Sequence, residues 1–568
     1  MALKTQQLEK IFEEGYSFVD LLPYIEYVHE SFILSDGSMG QVWKIGAFET
    51  EGQQEEDIAS LSSLLQNLLN RIPTERLACQ IILSSHRHVG KSLKVYGEFK
   101  EASLAESLFT KGKITHIEES LNGKNGGMIP KTIEVYLTLR FFPDWLYPSF
   151  WQKTADVLQG KKSVEQKMEK EMERYRQEFS KYCHLIQGIL QAAGIAYQAI
   201  DDQRLMDWVY EILNPRRSRC IPRISLSPRS ILRDQVLFNA PLTTPHGFVL
   251  ENQHMRVLSL KELPSSTVAG MFSRELYEGS RFCLLDIPSD MMVVINFTVP
   301  PLQEAMDHLH RQKSFAFMHQ DNWLGDKSVE ALEKKKELDE TLTDLFKSGQ
   351  KIVQARVHCV VRHELEEKVE EDAGMLMNIL NRLNCEGIKE ELIGASLFLT
   401  CLPLNFDPYY EKFIRRAKRL MASNAADMLL LYGSFKGTKT PTQLYLNRRG
   451  EIVFLDFFDS NINPHGVVIG ASGAGKSFFM NDFILQNDRL GAHFFVLDKG
   501  DSYKKLSAIL GGQYISFDLN HPVRINPFMN EPTPENLTFL MSLLSQRLPV
   551  EMSGTVLIVK KRGFCKRL

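Results

Sequence analysis

The residues whose types and spacing predict chemistry lie between Gly470 and Ser477 and read GASGAGKS. They fit the pattern G-x-x-x-x-G-K-[ST] of a phosphate-binding P-loop. In this pattern backbone N–H groups surround the phosphates, the lysine reaches the β- and γ-phosphates, and the hydroxyl ligates Mg²⁺. We therefore predict that ATP and Mg²⁺ bind here, with Lys476 as the catalytic cation and Ser477 as the metal ligand. The predicted nucleotide-binding residues of the loop are Gly470, Ala471, Ser472, Gly473, Ala474, Gly475, Lys476 and Ser477.

The elements that must position the loop occur in the expected order. The apolar run 465–469 predicts a buried strand before the loop, and an apolar helix comes after it. This order argues against a chance Gly-rich turn. A second predicted strand, 493–497, ends in Asp498, a further nucleotide-binding candidate whose carboxylate either faces the nucleotide or caps the next turn. With another helix and the strand 513–517, the region predicts the start of a doubly wound nucleotide-binding domain.

The composition is that of an ordinary soluble protein. At 568 residues the chain is too long for one core, so two to four domains are expected. The net charge of −3 gives no direct signal for nucleic acid binding. The eight cysteines form no C-x-x-C pair, which favours reduced thiols over zinc or disulfides. No run of about 18 apolar residues occurs, so no transmembrane segment is expected.

Periodicity predicts the elements of the first part of the chain. Residues 61–69 carry the apolar stripe of a helix, and 77–83 and 133–141 alternate as strands. Residues 160–213 read as helical, with apolar residues at spacings of three and four. We therefore expect 1–220 to form an amino-terminal α+β domain.

From about residue 250 a second unit is expected. Residues 291–297 and 353–361 read as strands, and 364–384 read as a helix. Strands that alternate with helices favour an α/β layer, which we expect within 221–430. The third region, 431–568, then begins with a predicted hairpin and contains the P-loop.

At this point the chain resembles a known family, the TraC ATPases of F-type conjugative type IV secretion systems, within the larger group of pilus-assembly ATPases. The resemblance extends over nearly the whole chain to about residue 545. It is carried by LLPYIEYVHESFILSDGSMG (21–40), GTKTPTQLYLNRRGE (437–451), NPHGVVIGASGAGKSFF (463–479), LDKGDSYKKLSAILGGQYI (497–515) and RINPF (524–528).

The resemblance implies an α/β fold class, with an amino-terminal α+β domain followed by a RecA-like P-loop NTPase domain. It implies an ATPase that powers pilus or channel assembly. Such a protein is expected to be cytoplasmic and peripheral at the inner membrane, where it docks on other type IV secretion components. The family resemblance also implies a possible homo-hexamer.

The chain departs from the family pattern after the P-loop. A P-loop motor needs a second acidic motif, an apolar strand ending in Asp-Glu, and none occurs after Ser477. The last residues, 556–568, are an apolar run that turns basic. We therefore expect the P-loop domain to be truncated and its sheet to be incomplete.

Two alternatives stay open beside the ATPase. The chain is a non-hydrolysing structural or docking subunit in the first, and a DNA-translocating RecA-like motor in the second. The acidic balance and the lack of a groove of aromatic and basic residues argue against the second.

The first prediction concerns turnover. Phosphoryl transfer needs Mg²⁺ held on two sides and a positioned water. The sequence offers Lys476 and Ser477 on one side and no acidic strand on the other. We predict that the purified chain releases phosphate from ATP at or near the background rate, even if it binds ATP. A robust rate that Lys476→Ala abolishes would contradict this and would show that another acidic group completes the site.

Overall fold

A computed structural model describes most of the chain. The described residues are 17–72, 76–99, 104–121, 128–143, 161–221, 223–264, 266–274, 283–301, 303–304, 306–307, 349–459, 463–499, 501–516 and 526–547. The apolar and basic tail of the sequence, 556–568, lies outside the described residues. The chain divides into two compact units, Met1–Val467 with Gln486–Gly491, and Val468–Leu485 with Ala492–Leu568.

The larger unit is built on strands. In the described residues these are Tyr24–Val28 (β1), Ser31–Leu34 (β2), Met39–Ile45 (β3), Phe48–Glu49 (β4), Leu77–His86 (β5), Thr132–Phe141 (β6), Tyr197–Ala199 (β7), Leu242–Thr244 (β8), Gly247–Leu250 (β9), Gln253–Glu262 (β10), Asp290–Thr298 (β11), Ile352–His363 (β12), Glu386–Lys389 (β13), Lys418–Met421 (β14), Tyr432–Gly433 (β15), Gln443–Leu446 (β16) and Ile452–Leu455 (β17).

The α-helices of the described residues are Glu55–Arg71 (α1), Gly90–Glu98 (α2), Leu104–Ser120 (α3), Lys161–Ala192 (α4), Asp202–Leu213 (α5), Arg217–Cys220 (α6), Glu366–Arg382 (α7), Gly394–Cys401 (α8), Glu411–Ile414 (α9), Ala422–Met428 (α10), Lys476–Asp488 (α11), Lys504–Ile509 (α12) and Pro534–Arg547 (α13). Short 3₁₀ helices occur at Phe18–Leu21, Leu232–Gln235, Leu284–Asp286, Pro408–Tyr410 and Pro527–Met529. Within this part of the chain, every helix is too short or too polar to cross a membrane.

One large antiparallel sheet organises the larger unit. Its strand order is β1-β2-β3-β6-β5-β11-β12-β10-β9-β8, and β7, β13 and β14 pair with β3, β10 and β12. At its centre β11 pairs with β5 on one side and β12 on the other, so that Val293 lies opposite both Leu83 and Cys359. Strands from both halves of the unit therefore lie side by side, and the boundary expected at residue 220 does not divide them.

The α/β layer expected within 221–430 implies parallel strands, and this pairing is wrong. Its strands at 291–297 and 353–361 are present, as is the helix at 364–384, but the two strands are antiparallel neighbours. The sequence misleads here because the central strands are buried on both faces. A strand of that kind reads as a continuous apolar run, as the strands of a parallel sheet do.

Helices cover both faces of the sheet. Cys79, Ile81 and Leu83 of β5 pack in one core with the apolar stripe of α1 and with the described part of α4. Ile82 faces the opposite core, which contains α5 and α8. The predicted helix at 61–69 and the predicted strands at 77–83 and 133–141 are thus confirmed. The helical region predicted at 160–213 is two helices with β7 between them.

A smaller core in the same unit lies beside the hairpin β16–β17. The hairpin is antiparallel, with Gln443 opposite Leu455, as its sequence predicts. Leu93 and Tyr96 of α2 pack with Ile117 of α3 and with Leu444 of β16. We call these four residues the hairpin core.

In the smaller unit the described residues form helices but no assigned strands. The strands predicted at 465–469 and 493–497 are extended chain without ladder partners, and so are the described residues of 513–517. Their apolar side chains face solvent, since Ile469 is 90% exposed and Phe495 is 99% exposed. An apolar run becomes a strand only when a neighbour pairs its backbone, and no neighbour does so in the described residues. The strand predictions at 465–469 and 493–497 are therefore wrong for this structure, and the described residues of 513–517 form no strand.

A buried amide network fastens the segment 400–404 to the centre of the sheet. The Gln80 side-chain amide donates to Asn296 Oδ1 (2.9 Å) and to the Thr400 carbonyl (3.0 Å). Its oxygen accepts from the Thr138 hydroxyl (2.9 Å) and from the Leu404 N–H (2.7 Å). Because every polar atom of this amide has a partner, the network stabilises a single arrangement of the sheet and segment.

The second prediction tests this network. Gln80→Leu leaves the Leu404 N–H and the Asn296 oxygen buried without that partner, so the free energy of unfolding is expected to fall by about 3 kcal/mol. Gln41 is a matched control on β3, because it is buried and its Oε1 already lacks a partner. Gln41→Leu is expected to change the free energy by less than about 1 kcal/mol. Urea unfolding followed by circular dichroism compares the two, and equal losses would refute the role of Gln80.

Candidate nucleotide-binding loop

The loop bends sharply and leads directly into α11. Gly473 and Gly475 have φ angles of +79° and +89°, a left-handed conformation that side chains with a Cβ disfavour. The α11 helix begins at Lys476, and the Phe479 N–H donates to the Gly475 carbonyl at 2.9 Å. The N–H groups before that bond have no partner within the helix, and the positive end of the helix dipole adds to their attraction for an anion.

Lys476 folds back over the loop. Its Nζ donates to the carbonyl oxygens of Gly470 and Ala471, at 2.8 Å each. The other loop residues, including Ser477, are exposed to solvent. The ammonium group is therefore held at the loop by two backbone acceptors, in a place that an incoming phosphate can reach.

Asp498 caps a turn. Its Oδ2 accepts from the Ser502 N–H at 3.0 Å, which is the second of the two roles left open by the sequence. In the described part of the chain no lysine or arginine forms an ion pair with this exposed carboxylate. The cap occupies one acceptor position of the carboxylate, which has two oxygens, so the cap and a contact with Mg²⁺ are compatible.

Asn481 links Ser477 to the turn that Asp498 caps. The sequence analysis did not single out this residue. Its Nδ2 donates to the Ser477 carbonyl at 2.8 Å and to the Ser502 carbonyl at 3.3 Å. Ser477 and Asp498 are thus the ends of one hydrogen-bonded chain. The available signal was a polar residue one turn after Ser477.

The donor set fits a nucleoside triphosphate with Mg²⁺. The loop supplies a helix amino terminus and an ammonium group for phosphate, and an exposed hydroxyl and a carboxylate for the metal. Mg²⁺ in such sites keeps several waters and takes few protein ligands. No group of three His, Cys, Asp or Glu residues that could hold a metal ion occurs in the described residues.

Comparison with known proteins adds to this geometry. Residues 448–538 match the model of the TraG P-loop domain, and residues 18–144 and 150–406 match the model of the TraC protein. Protein TraC of Escherichia coli (strain K12) is 25% identical over 548 residues, which are 90% of this chain and 58% of that protein. Type IV secretion system protein virB4 of Brucella abortus and of Brucella melitensis is 33% identical over 114 residues, 19% of this chain and 14% of virB4. The chain therefore spans less than two thirds of each of these relatives.

The third prediction separates the two roles of Asp498. Asp498→Asn keeps an oxygen that accepts from the Ser502 N–H but removes the charge. If the carboxylate faces Mg²⁺, ATP affinity is expected to fall about tenfold with Mg²⁺ and to stay unchanged in EDTA, as measured by calorimetry. Asp501→Asn makes the same charge change in the same turn and is expected to have little effect. Equal losses with and without Mg²⁺, or no loss, would show that Asp498 only caps the turn.

Proposed function

The chain belongs to the TraC protein family, and on this premise we propose that it is an ATP-binding component of a conjugative type IV secretion system. The family resemblance inferred from the sequence is thereby confirmed. The observation that carries the proposal is the loop Gly470 to Ser477 at the start of α11, inside the segment that matches a P-loop domain. The family resemblance implies that ATP hydrolysis by the full-length family powers pilus or channel assembly.

In this proposal each residue of the loop has a separate task. Backbone N–H groups at the start of α11 bind the phosphates, and Lys476 leaves its two carbonyl partners to contact the β- and γ-phosphates. Ser477 would ligate Mg²⁺, and Asp498 would hold a water bound to the metal. The surrounding region takes a RecA-like fold, which the order of loop, helix, turn and helix supports.

The place of action is inferred from the same premise. The relatives from Brucella are named type IV secretion system proteins, which supports other components of such a system as partners. We place the protein in the cytoplasm, peripheral at the inner membrane, and assign it a homo-hexameric assembly.

A second candidate function is a docking subunit that binds nucleotide without turnover. The observation that favours it is that the described residues present no second carboxylate on a strand beside the loop. The large sheet would then serve as the docking body.

The fourth prediction tests nucleotide binding itself. Lys476→Ala removes the cation that faces the phosphates, so ATP affinity is expected to fall at least tenfold, about 1.4 kcal/mol. Lys505→Ala removes an equal charge from an exposed position on α12 and is expected to leave the affinity unchanged. Isothermal calorimetry with a non-hydrolysable ATP analogue measures both. Equal binding by the wild type and Lys476→Ala would overturn the assignment.

A further inference from the structure

A strongly basic segment follows α5 in the larger unit and has no part in the proposed nucleotide site. Residues 214–238 contain six arginines and one acidic residue, Asp234, although the whole chain has a net charge of −3. The arginines are Arg216, Arg217, Arg219, Arg223, Arg229 and Arg233. Such a concentration of like charge raises the local electrostatic potential and attracts partners of opposite charge.

Half of these arginines are already neutralised within the protein. The pairs are Arg219–Glu364, Arg223–Asp207 and Arg233–Asp20. Arg216, Arg217 and Arg229 are exposed and form no ion pair with any residue that the structure describes. Glu251 lies close to two of them, but its Oε2 accepts from the backbone N–H groups of Arg216 and Arg217, at 2.6 and 3.1 Å. Three guanidinium groups are therefore available to an anionic partner.

Exposed apolar side chains accompany the unpaired arginines. Within the described residues of this segment, Ile221, Ile231 and Phe238 are 47%, 40% and 49% exposed. Two other apolar residues of the segment, Leu232 and Val236, are buried in the core that contains α5. One exposed apolar residue is ordinary, but three of them beside three unpaired cations are typical of an interaction surface.

The exposed position of Phe238 is fixed by the fold. The fully buried Asn214 donates from Nδ2 to the Val236 carbonyl at 2.6 Å and accepts at Oδ1 from the Phe238 N–H at 3.2 Å. The guanidinium carbon of Arg217 lies 4.1 Å from the centre of the Phe238 ring, a cation–π contact. A charged group and an apolar group are thus held side by side at the surface.

We propose that this surface binds the headgroup region of an anionic phospholipid bilayer. We call it the arginine surface and define it as Arg216, Arg217, Ile221, Arg229, Ile231 and Phe238. Guanidinium groups donate several N–H bonds to phosphate oxygens, and the apolar side chains enter the boundary between headgroups and acyl chains. The inference deepens the proposed peripheral location and rests on it, but it does not depend on ATP binding.

The combination of side chains favours lipid over other anionic partners. Sites for single-stranded nucleic acid stack bases on several aromatic rings, whereas the arginine surface has one ring, which already contacts Arg217. An acidic protein would pair with the arginines but would place charged groups against the two isoleucines. A bilayer surface offers phosphate and hydrocarbon within one layer and so matches both kinds of side chain.

The fifth prediction removes the three unpaired charges together, in Arg216→Gln/Arg217→Gln/Arg229→Gln. Affinity for vesicles made of equal parts phosphatidylcholine and phosphatidylglycerol is expected to fall at least tenfold, because anionic lipid attracts each arginine near its surface. Cosedimentation of the full chain with the vesicles measures it. The matched control replaces Lys91, Lys94 and Lys181, which are exposed on α2 and α4, by glutamine. The control is expected to bind as the wild type does.

A second measurement reports insertion as distinct from adsorption. Cys220 lies within the segment and is exposed, whereas the other described cysteines are buried or half-buried. A polarity-sensitive fluorophore on this thiol is expected to shift its emission to the blue with anionic vesicles, and Cys220→Ser corrects for label elsewhere. Phe238→Ala is expected to weaken vesicle binding about threefold, because it removes an inserted ring. Phe458→Ala alters a phenylalanine that is 74% exposed and is expected to change nothing.

The outcomes separate the arginine surface from the location on which it rests. Equal binding of the wild type to pure phosphatidylcholine and to anionic vesicles would refute the role of the arginines. If the triple arginine variant binds anionic vesicles as well as the wild type, while the protein still fractionates with membranes in cells, only the arginine surface is wrong. If the arginines hold single-stranded DNA and anionic vesicles do not compete, the surface binds nucleic acid instead. Absence of the protein from the membrane fraction would overturn the location and the inference together.

Discussion

The larger unit depends on the pairing of β11 on both of its edges. All nine residues of this strand are buried, so each of its backbone N–H and C=O groups must find a partner within the sheet. β5 and β12 supply those partners, and the helices on either face exclude water from both surfaces. The Gln80 amide adds side-chain bonds at the same level of the sheet, which ties the segment 400–404 to its centre.

The region around the P-loop is subject to the same constraint, and there the described residues show no backbone pairing. Ile469 and Phe495 lie in extended segments without ladder partners, and their side chains are exposed. The loop itself needs less support, because its turn is fixed by Gly473 and Gly475 and its direction by α11. Local geometry therefore builds the phosphate cradle, whereas a sheet forms only through non-local pairing.

Much of this structure was predictable from the sequence, and the failures have physical causes. The stripe at 61–69, the alternation at 77–83 and the hairpin beside β16 are local patterns, and each forms the expected element. The P-loop was recognisable because its residue types are tied to a local turn. Antiparallel pairing of β11 was not predictable, because strands buried on both faces show no alternation.

Long-range contacts were equally hidden in the sequence. Arg489 and its partner Tyr96 are 393 residues apart in the chain. Asn481 gave only a weak signal, and the cap made by Asp498 was one of two roles that its position allowed. Polar residues become informative only when the fold shows which of them are buried.

The interleaved order of the sheet also bears on how the chain is synthesised. Gln80 and Asn296 form a hydrogen bond on neighbouring strands although they are 216 residues apart. At about 5–20 residues per second, a ribosome needs roughly ten to forty seconds to add that length of chain. β6 becomes available to one edge of β5 early in this interval, whereas the other edge has no β11 until its end. An apolar strand with an open edge can pair non-natively, so β5 is exposed to such pairing until residue 298 has emerged.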